Sequence, residues 1–423
     1  MKKISSLWVI IIIFTFGKNV AFSQENGISL SLDKLIKEAL EKNPEIQAAE
    51  RRWRAAQQRP TQVSTLPDPM LSYSRFGSSV ETRVGPQESV LMLSQKIPFP
   101  GKLGLKWKMA SQDALAEQQK YDATERDVIF KVKQAYYDLY WVDQSLAILN
   151  QYLALLQDFT RVAEQKYATG QGIQANVLKS QVEISSTMER RLGFEKMRQG
   201  VVARLNALLN RPQDQELGKA TYIDTGQVQL DQEALVNRAL SQREELLAVQ
   251  AMIDKSEFMK RLAKRNYWPD FNLQANYIDV SQGVSKAPDA GKNAWSVMVG
   301  LNLPIWLGKR NAAVREANEV ISSNQLTYEN LENLVKSEIK DFYYRIEITG
   351  QTLDLYEQGL ITQAESSLES AMSSYRTGKL DFLDLLDAER MLLNLNLGYV
   401  KEQSNYQKQL AAMERAVGGE LPR

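Results

Sequence analysis

The sequence predicts a mainly α-helical fold with a β-barrel portion: two similar halves, each joining a helical hairpin to a β-hairpin, with several copies needed to close the barrel. Three observations predict it. The chain repeats itself at an offset near 200 residues, each half holds a long heptad run, and each half holds two short segments of alternating apolar and polar residues.

The repeat is read by self-comparison. Ala39–Ile46 resembles Ala239–Leu246, Leu66-Pro67-Asp68 resembles Trp268-Pro269-Asp270, and Tyr167-Ala168-Thr169-Gly170 resembles Tyr375-Arg376-Thr377-Gly378. Ile97-Pro98-Phe99-Pro100-Gly101-Lys102 likewise resembles Leu303–Lys309. The offsets grow in order from 200 to 208, as a duplication with small insertions requires. The expected boundaries are a signal peptide at 1–23, a first repeat at 24–212, a connector at 213–230 and a second repeat at 231–423.

The long helices follow from spacing. Val128, Val132, Ala135, Leu139, Val142, Leu146, Leu149, Leu153 and Leu156 alternate steps of four and three, an a/d seam. Val335, Ile339, Phe342, Ile346, Thr349, Leu353, Tyr356 and Leu360 repeat it 207 residues later. Helical hairpins are expected at about 106–209 and 311–417, with tips at Tyr-x-Thr-Gly, where glycine can take the left-handed position that ends a helix. One further helix is expected ahead of each strand region, at about 31–59 and 231–265.

Strands are expected at about 70–76 and 88–96, around a loop at 77–87, and again at about 271–280 and 295–303. Phe271, Leu273, Ala275 and Tyr277 alternate with Asn272, Gln274 and Asn276. Such alternation fits a membrane β-barrel, and it also fits a soluble hairpin with one buried face. The N-terminus favours the barrel. Lys2 and Lys3 precede the apolar run Leu7–Phe16, and Ala21-Phe22-Ser23 ends in small residues suited to cleavage. That run is about half the ~20 residues a spanning helix needs, so the chain is read as exported and any span as a barrel. Four strands per chain fall short of the roughly eight of a small closed barrel. Three copies supply twelve.

Composition excludes much else. The chain has 423 residues, 52 Lys+Arg against 51 Asp+Glu, and neither histidine nor cysteine. Disulfides, thiolate metal sites, lipidated cysteine and imidazole catalysis are therefore excluded. The balanced charge gives no nucleic-acid footprint. The twelve methionines are scattered and read as packing. No enzyme, cofactor or metal site is expected.

In this ordered set of features the chain resembles the TolC family of outer-membrane efflux ducts. The resemblance covers essentially the whole mature chain and rests on the duplicated order together with the second tip, Tyr375–Ala388. It implies a homotrimer with a twelve-stranded barrel in outer-membrane lipid and an α-helical barrel in the periplasm. It implies docking to a periplasmic membrane-fusion adaptor and an inner-membrane pump of RND type. Pro98-Phe99-Pro100-Gly101-Lys102 resembles the branch that serves heavy-metal pumps. The implied function is a passive exit duct, with drug or protein export as the alternative within the family. A periplasmic coiled-coil adaptor or structural protein is the alternative outside it.

The resemblance also implies site residues. Asp384 and Asp387 match aspartates that ring the periplasmic gate, although Asp384 equally suits a helix first turn. Tyr375 matches a latch tyrosine, with Asn176 as its acceptor, while the family's basic latch residue falls on Leu380 and weakens the salt-bridge part of that latch. Tyr167, Gly170, Gly378 and Leu380 are the expected adaptor-docking tips. Asp381 is expected as a helix cap.

Overall fold

The computed structural model describes residues 30–221, 223, 226 and 228–421. The expected signal peptide lies outside the described residues.

In each half a short helical lead-in precedes a β-hairpin and a long helical hairpin. The first half runs α1 (Leu32–Lys42), α2 (Pro44–Gln57), α3 (Arg59–Ser64), β1 (Met70–Thr82), β2 (Gly85–Ile97), α4 (Lys102–Ala168) and α5 (Gln174–Leu208). The second runs α6 (Gln232–Gln242), α7 (Glu244–Arg265), β3 (Phe271–Val280), β4 (Ala294–Leu301), α8 (Leu307–Leu355), a π-helical turn (Tyr356–Leu360), α9 (Ile361–Arg376) and α10 (Phe382–Ala416).

The lead-in, expected as one helix, is broken in both halves. Pro44 disfavours helix at Asn43, and the Asn43 side chain then caps α2 by accepting from the Glu45 and Ile46 amides at 2.8 and 3.3 Å. The second half breaks at Arg243 with no proline, at nearly the same φ and ψ (−66°, 122° against −66°, 124°). Packing against the long helices therefore imposes the bend, and proline only eases it.

At 67 residues α4 is roughly 100 Å long. Its seam is buried from Val128 to Leu156 except at Leu146, and it packs against α1, α2 and α3 of its own half and against α7 and α10 of the other. The α8 seam is buried at Val335, Ile339, Ile346 and Thr349, then opens where the π turn begins. There Tyr356 lies against Gly398 of α10, where a β-carbon would come within 2.7 Å of its hydroxyl. The extra residue per turn is a local feature that heptad spacing does not encode.

The described residues of the connector form no helix or strand, and they are pinned. Leu217, Ala220 and Ile223 enter the core beside α1, α4 and α5. Asp143 of α4 accepts from the Ala220 amide (2.9 Å) and from Arg198 (2.7 Å).

The four strands form one antiparallel sheet in the order β1-β2-β3-β4. The first hairpin is longer than its alternation predicts. Segment 77–82 continues β1 through an irregularity between Arg75 and Val80, and β2 starts at Gly85, leaving only Arg83 and Val84 between the strands. The second hairpin matches its expected strands within two residues.

The polarity of this sheet is reversed relative to a soluble one. Leu71, Leu93, Ala275 and Val297 pair into one row, and Tyr73, Leu91, Tyr277 and Trp295 into another on the same face. All eight are exposed. The opposite face carries the row Ser72, Met92, Asn276 and Ser296, where Gln274 donates to Asn276 (2.9 Å) and Asn276 to Ser296 (3.1 Å). A soluble sheet hides its apolar face against a core. This one turns it outward, as membrane barrels do. Among the described residues no helix is long and apolar enough to cross a membrane.

The buried α4 seam predicts a graded cost of truncation. Leu139→Ala, at a fully buried position, is expected to destabilise by about 2–5 kcal/mol, and Leu146→Ala, at a half-buried one, by roughly 1 kcal/mol or less. Thermal unfolding followed by helical circular dichroism checks the order of the two.

Candidate functional site at the helical tips

Both hairpin tips close by the same hydrogen bonds. At the first, Gly170 donates to Tyr167 O (3.0 Å) and Gln171 to Lys166 O (2.8 Å). At the second, Gly378 donates to Tyr375 O (3.1 Å) and Lys379 to Ser374 O (2.9 Å). The glycines sit at φ 74° and 75°, where a side chain is strained. The returning helices α5 and α10 have 35 residues each, at a constant offset of 208. The α10 start is capped by Asp381, which accepts from the Phe382 amide at 2.6 Å, whereas α5 has Ile173 at its N-cap and no side-chain cap.

The two tip tyrosines meet opposite fates. Tyr167 is 49% exposed and Tyr375 only 6%. Tyr375 packs on the Phe382 ring (5.5 Å between centroids) and lies under Lys166, whose Nζ is 4.1 Å from the ring centre. Lys166 also donates to Tyr375 O at 2.5 Å, so the end of α4 is tied to the end of α9. Burial, then the charge of Asp381, pushes the Tyr375 phenol above its ordinary pKa. The structure does not join Tyr375 to Asn176 within the chain. Asn176 is half-buried in the first turn of α5, and its amide donates to Ile173 O (3.1 Å). Gly170 and Gly378 are exposed, and Leu380 is half-buried.

Asp384 and Asp387 face outward on α10. Their counterparts at the 208-residue offset are Asn176 and Lys179, so only the second repeat presents carboxylates here. Asp384 makes no hydrogen bond or ion pair among the described residues. Asp387 accepts from Arg390 (3.3 Å), which also clasps Glu183 of α5, with Nε to Oε2 at 2.9 Å. Tyr152 of α4 donates to the same carboxylate at 3.3 Å. Asp387 is thus the outer end of a chain of polar contacts that crosses α10, α5 and α4.

Beside this chain lies a residue the sequence reading missed. Glu389 is 3% exposed, and its Oε2 has no hydrogen-bond partner. Burial pushes its carboxyl up to about 7. Tyr152, raised by burial and then by the Glu183 and Glu389 charges, faces the same space. The signal was available: Phe382, Leu386, Glu389, Leu393, Leu397 and Val400 keep near-heptad steps, with Glu at a core position. Lys166 offered no such signal, because its role depends on Tyr375, 209 residues away.

No group of three or more acidic residues that could hold a metal ion occurs among the described residues. An outward apolar sheet, long helical hairpins and twin tips, one of them carrying exposed carboxylates, define a membrane-anchored duct subunit. The sequence profile of the outer membrane efflux protein family matches residues 35–211 and again residues 235–419, once per half. The chain belongs to that family. It is 23% identical to outer membrane protein TolC of Vibrio cholerae, over 99% of this chain and 96% of that one. It is 22% identical to the cation efflux system protein CusC of Escherichia coli O157:H7, over 87% and 82%. The solved CusC structure superposes with a TM-score of 0.80 at 18% identity, covering 93% of each chain. The outer membrane protein VceC of Vibrio cholerae gives 0.76 at 22% identity, covering 92% of this chain and 96% of the other. The protein is accordingly an outer-membrane efflux channel of the tripartite type, and it is not an enzyme.

Two predictions follow from the tip. Glu389 has a raised pKa in the folded protein, so the fold holds its proton more tightly than the unfolded chain does. Its contribution to stability is then fully present below the ordinary carboxyl range and is lost as pH rises through about 7, by roughly 2–3 kcal/mol. Glu389→Gln should flatten that slope in unfolding curves taken from pH 5 to pH 8. Lys166→Ala should loosen the α4–α9 tie by about 1–3 kcal/mol, read as faster amide hydrogen exchange at the end of α9 with little change in the global midpoint.

Proposed function

We propose that three copies of this chain form a passive exit duct whose tips carry a cation-selective gate and whose cargo is heavy-metal cations. The observation that carries the trimer is the sheet: among the described residues β1 and β4 each leave one edge without a partner strand, and the outward face is apolar. In lipid such edges are costly, and closure with copies of the same sheet satisfies them. Exposed apolar residues along α5, among them Leu178, Val182 and Leu192, and along α8, among them Leu334, Ile348 and Leu355, supply contact surface for neighbouring copies.

Three-fold symmetry would repeat Asp384 and Asp387 as rings of carboxylate around the periplasmic end, which concentrate cations. Asp387 is partly neutralised by Arg390, so Asp384 carries the larger share of the field. Tyr375 and Asn176 are assigned to a latch between copies by the resemblance to the family, and Tyr375, 6% exposed in the single chain, must leave its packing on Phe382 to take part in it. Tyr167, Gly170, Gly378 and Leu380 form the tip that meets a periplasmic adaptor, itself coupled to an inner-membrane pump of RND type. Cation cargo is supported by the gate carboxylates and by relatives described as a cation efflux protein and as the cobalt-zinc-cadmium resistance protein CzcC of Cupriavidus metallidurans. The segment Pro98–Lys102 adds little to that reading. Phe99 stacks on Trp268 (5.3 Å) and Lys102 pairs with Asp270 (2.7 Å), so its residues brace the junction between sheet and helices.

Asp384→Asn with Asp387→Asn should lower cation-over-anion selectivity in planar-bilayer recordings several-fold, and Asp384→Asn alone should give most of the effect. Unchanged selectivity would remove the gate assignment. Deletion of the gene should sensitise cells to metal cations before dyes or antibiotics, and sensitivity to drugs alone would overturn the cargo assignment.

A further inference from the structure

Where the helices meet the sheet, charge is sorted in a way the channel function leaves unexplained. The first eight residues of α4 (102–109), the last eight of α7 (258–265) and the first eight of α8 (307–314) hold nine basic residues and no carboxylate. The chain as a whole is balanced, with 52 basic and 51 acidic residues. The far end of the sheet mixes signs, with Arg83 paired to Asp289 at 3.0 Å.

Helix chemistry does not account for this. Cations favour helix C-termini, which would explain Lys264 and Arg265 on α7. Lys106 and Lys108, however, sit near the start of α4, and Lys309 near the start of α8, where the helix dipole repels them and neither helix offers a first-turn acid. Nor does ion pairing account for it, although Lys108 lies over the Phe258 ring (5.4 Å) and Arg265 over the Phe99 ring (5.9 Å). Lys102 is buried against Asp270, but Lys106, Lys108, Lys264, Arg265 and Lys309 are exposed.

Aromatic and aliphatic side chains occupy the same level. Trp306 is 73% exposed, with Trp268 and Ile305 also outward. Arg310 donates to Trp306 O (3.0 Å) and to Asn266 O (2.8 Å), which fixes the Trp306 segment against the end of α7. Exposed tryptophan next to exposed lysine, directly below an apolar sheet face, is the pairing that membrane–water interfaces select.

We propose that this collar binds the headgroups of anionic phospholipids in the periplasm-facing leaflet, anchoring the channel at a set depth. The inference rests on the membrane reading above. Charge complementarity favours a lipid phosphate that keeps a net negative charge over a zwitterionic one, and each lysine near such a surface contributes several-fold to binding.

The test uses the purified trimer in mixed micelles, with phosphatidylglycerol competing against phosphatidylethanolamine, and co-purified lipid quantified. The wild type should retain phosphatidylglycerol preferentially, and 0.5 M salt should reduce that preference. The triple variant Lys106→Gln, Lys108→Gln, Lys309→Gln should lower it by about tenfold or more, while Lys106→Arg, Lys108→Arg, Lys309→Arg should keep it. Trimer yield and single-channel conductance should be unchanged in both. A wild type without the preference, or a glutamine variant that keeps it, overturns the collar and leaves the channel reading standing. A wild type that forms no conducting trimer in lipid overturns both.

Discussion

Burial of the α4 seam is the interaction on which the rest of the molecule depends. A single helix of 67 residues cannot stay ordered in water on propensity alone, and it persists because its apolar stripe is covered along its length. The covering elements come from both halves: α1, α2, α3 and α5 from the first, and α7 and α10 from the second. The duplicated halves are therefore one packed column. The tip geometry inherits its precision from that column, since Lys166 can reach Tyr375 only because α4 and α9 end at the same level.

The second constraint is solvent. One chain carries a helical part that buries apolar residues and a sheet that displays them. Both obey the same rule, that apolar surface leaves water, but the sheet has no protein of its own chain to leave water for. The polar contacts on its other face, from Gln274 to Asn276 to Ser296, are what a water-facing wall needs. The basic and aromatic collar lies where the two regimes meet, and the Lys102–Asp270 pair braces that same junction from inside.

Much of this was legible in the sequence because it follows from periodicity. Steps of four and three revealed the α4 seam, alternation revealed β3 and β4, and the repeated Tyr-x-Thr-Gly placed both tips within a residue or two. The errors, with one exception, share one cause. Segment 77–82 and the break at Arg243 lack a local signature, and the π turn at Tyr356–Leu360 sits on a seam whose spacing looks regular; the break at Asn43 is the exception, since Pro44 marks it locally. In each of the others a neighbour in space, not in sequence, selects the conformation.

The candidate site divides along the same line. The tip glycines and the Asp381 cap could be named from sequence, because helix-start and helix-stop chemistry is local, whereas Asp384 and Asp387 were singled out by resemblance to the family. The roles of Lys166 and Arg390 could not, because a cation over a ring and a shared guanidinium exist only between elements about 200 residues apart, whereas Glu389 left a signal in its core position on the α10 seam. By itself the sequence determined the duplication, the helix faces, the alternating strands and the absence of imidazole and thiol chemistry, since each is a property of residue order or kind. Only the tertiary structure decided that the apolar face of the sheet turns outward, that one tip tyrosine is buried and the other exposed, and that the basic residues of three helices gather in one collar. Those are facts of relative position, set when the two halves pack on α4.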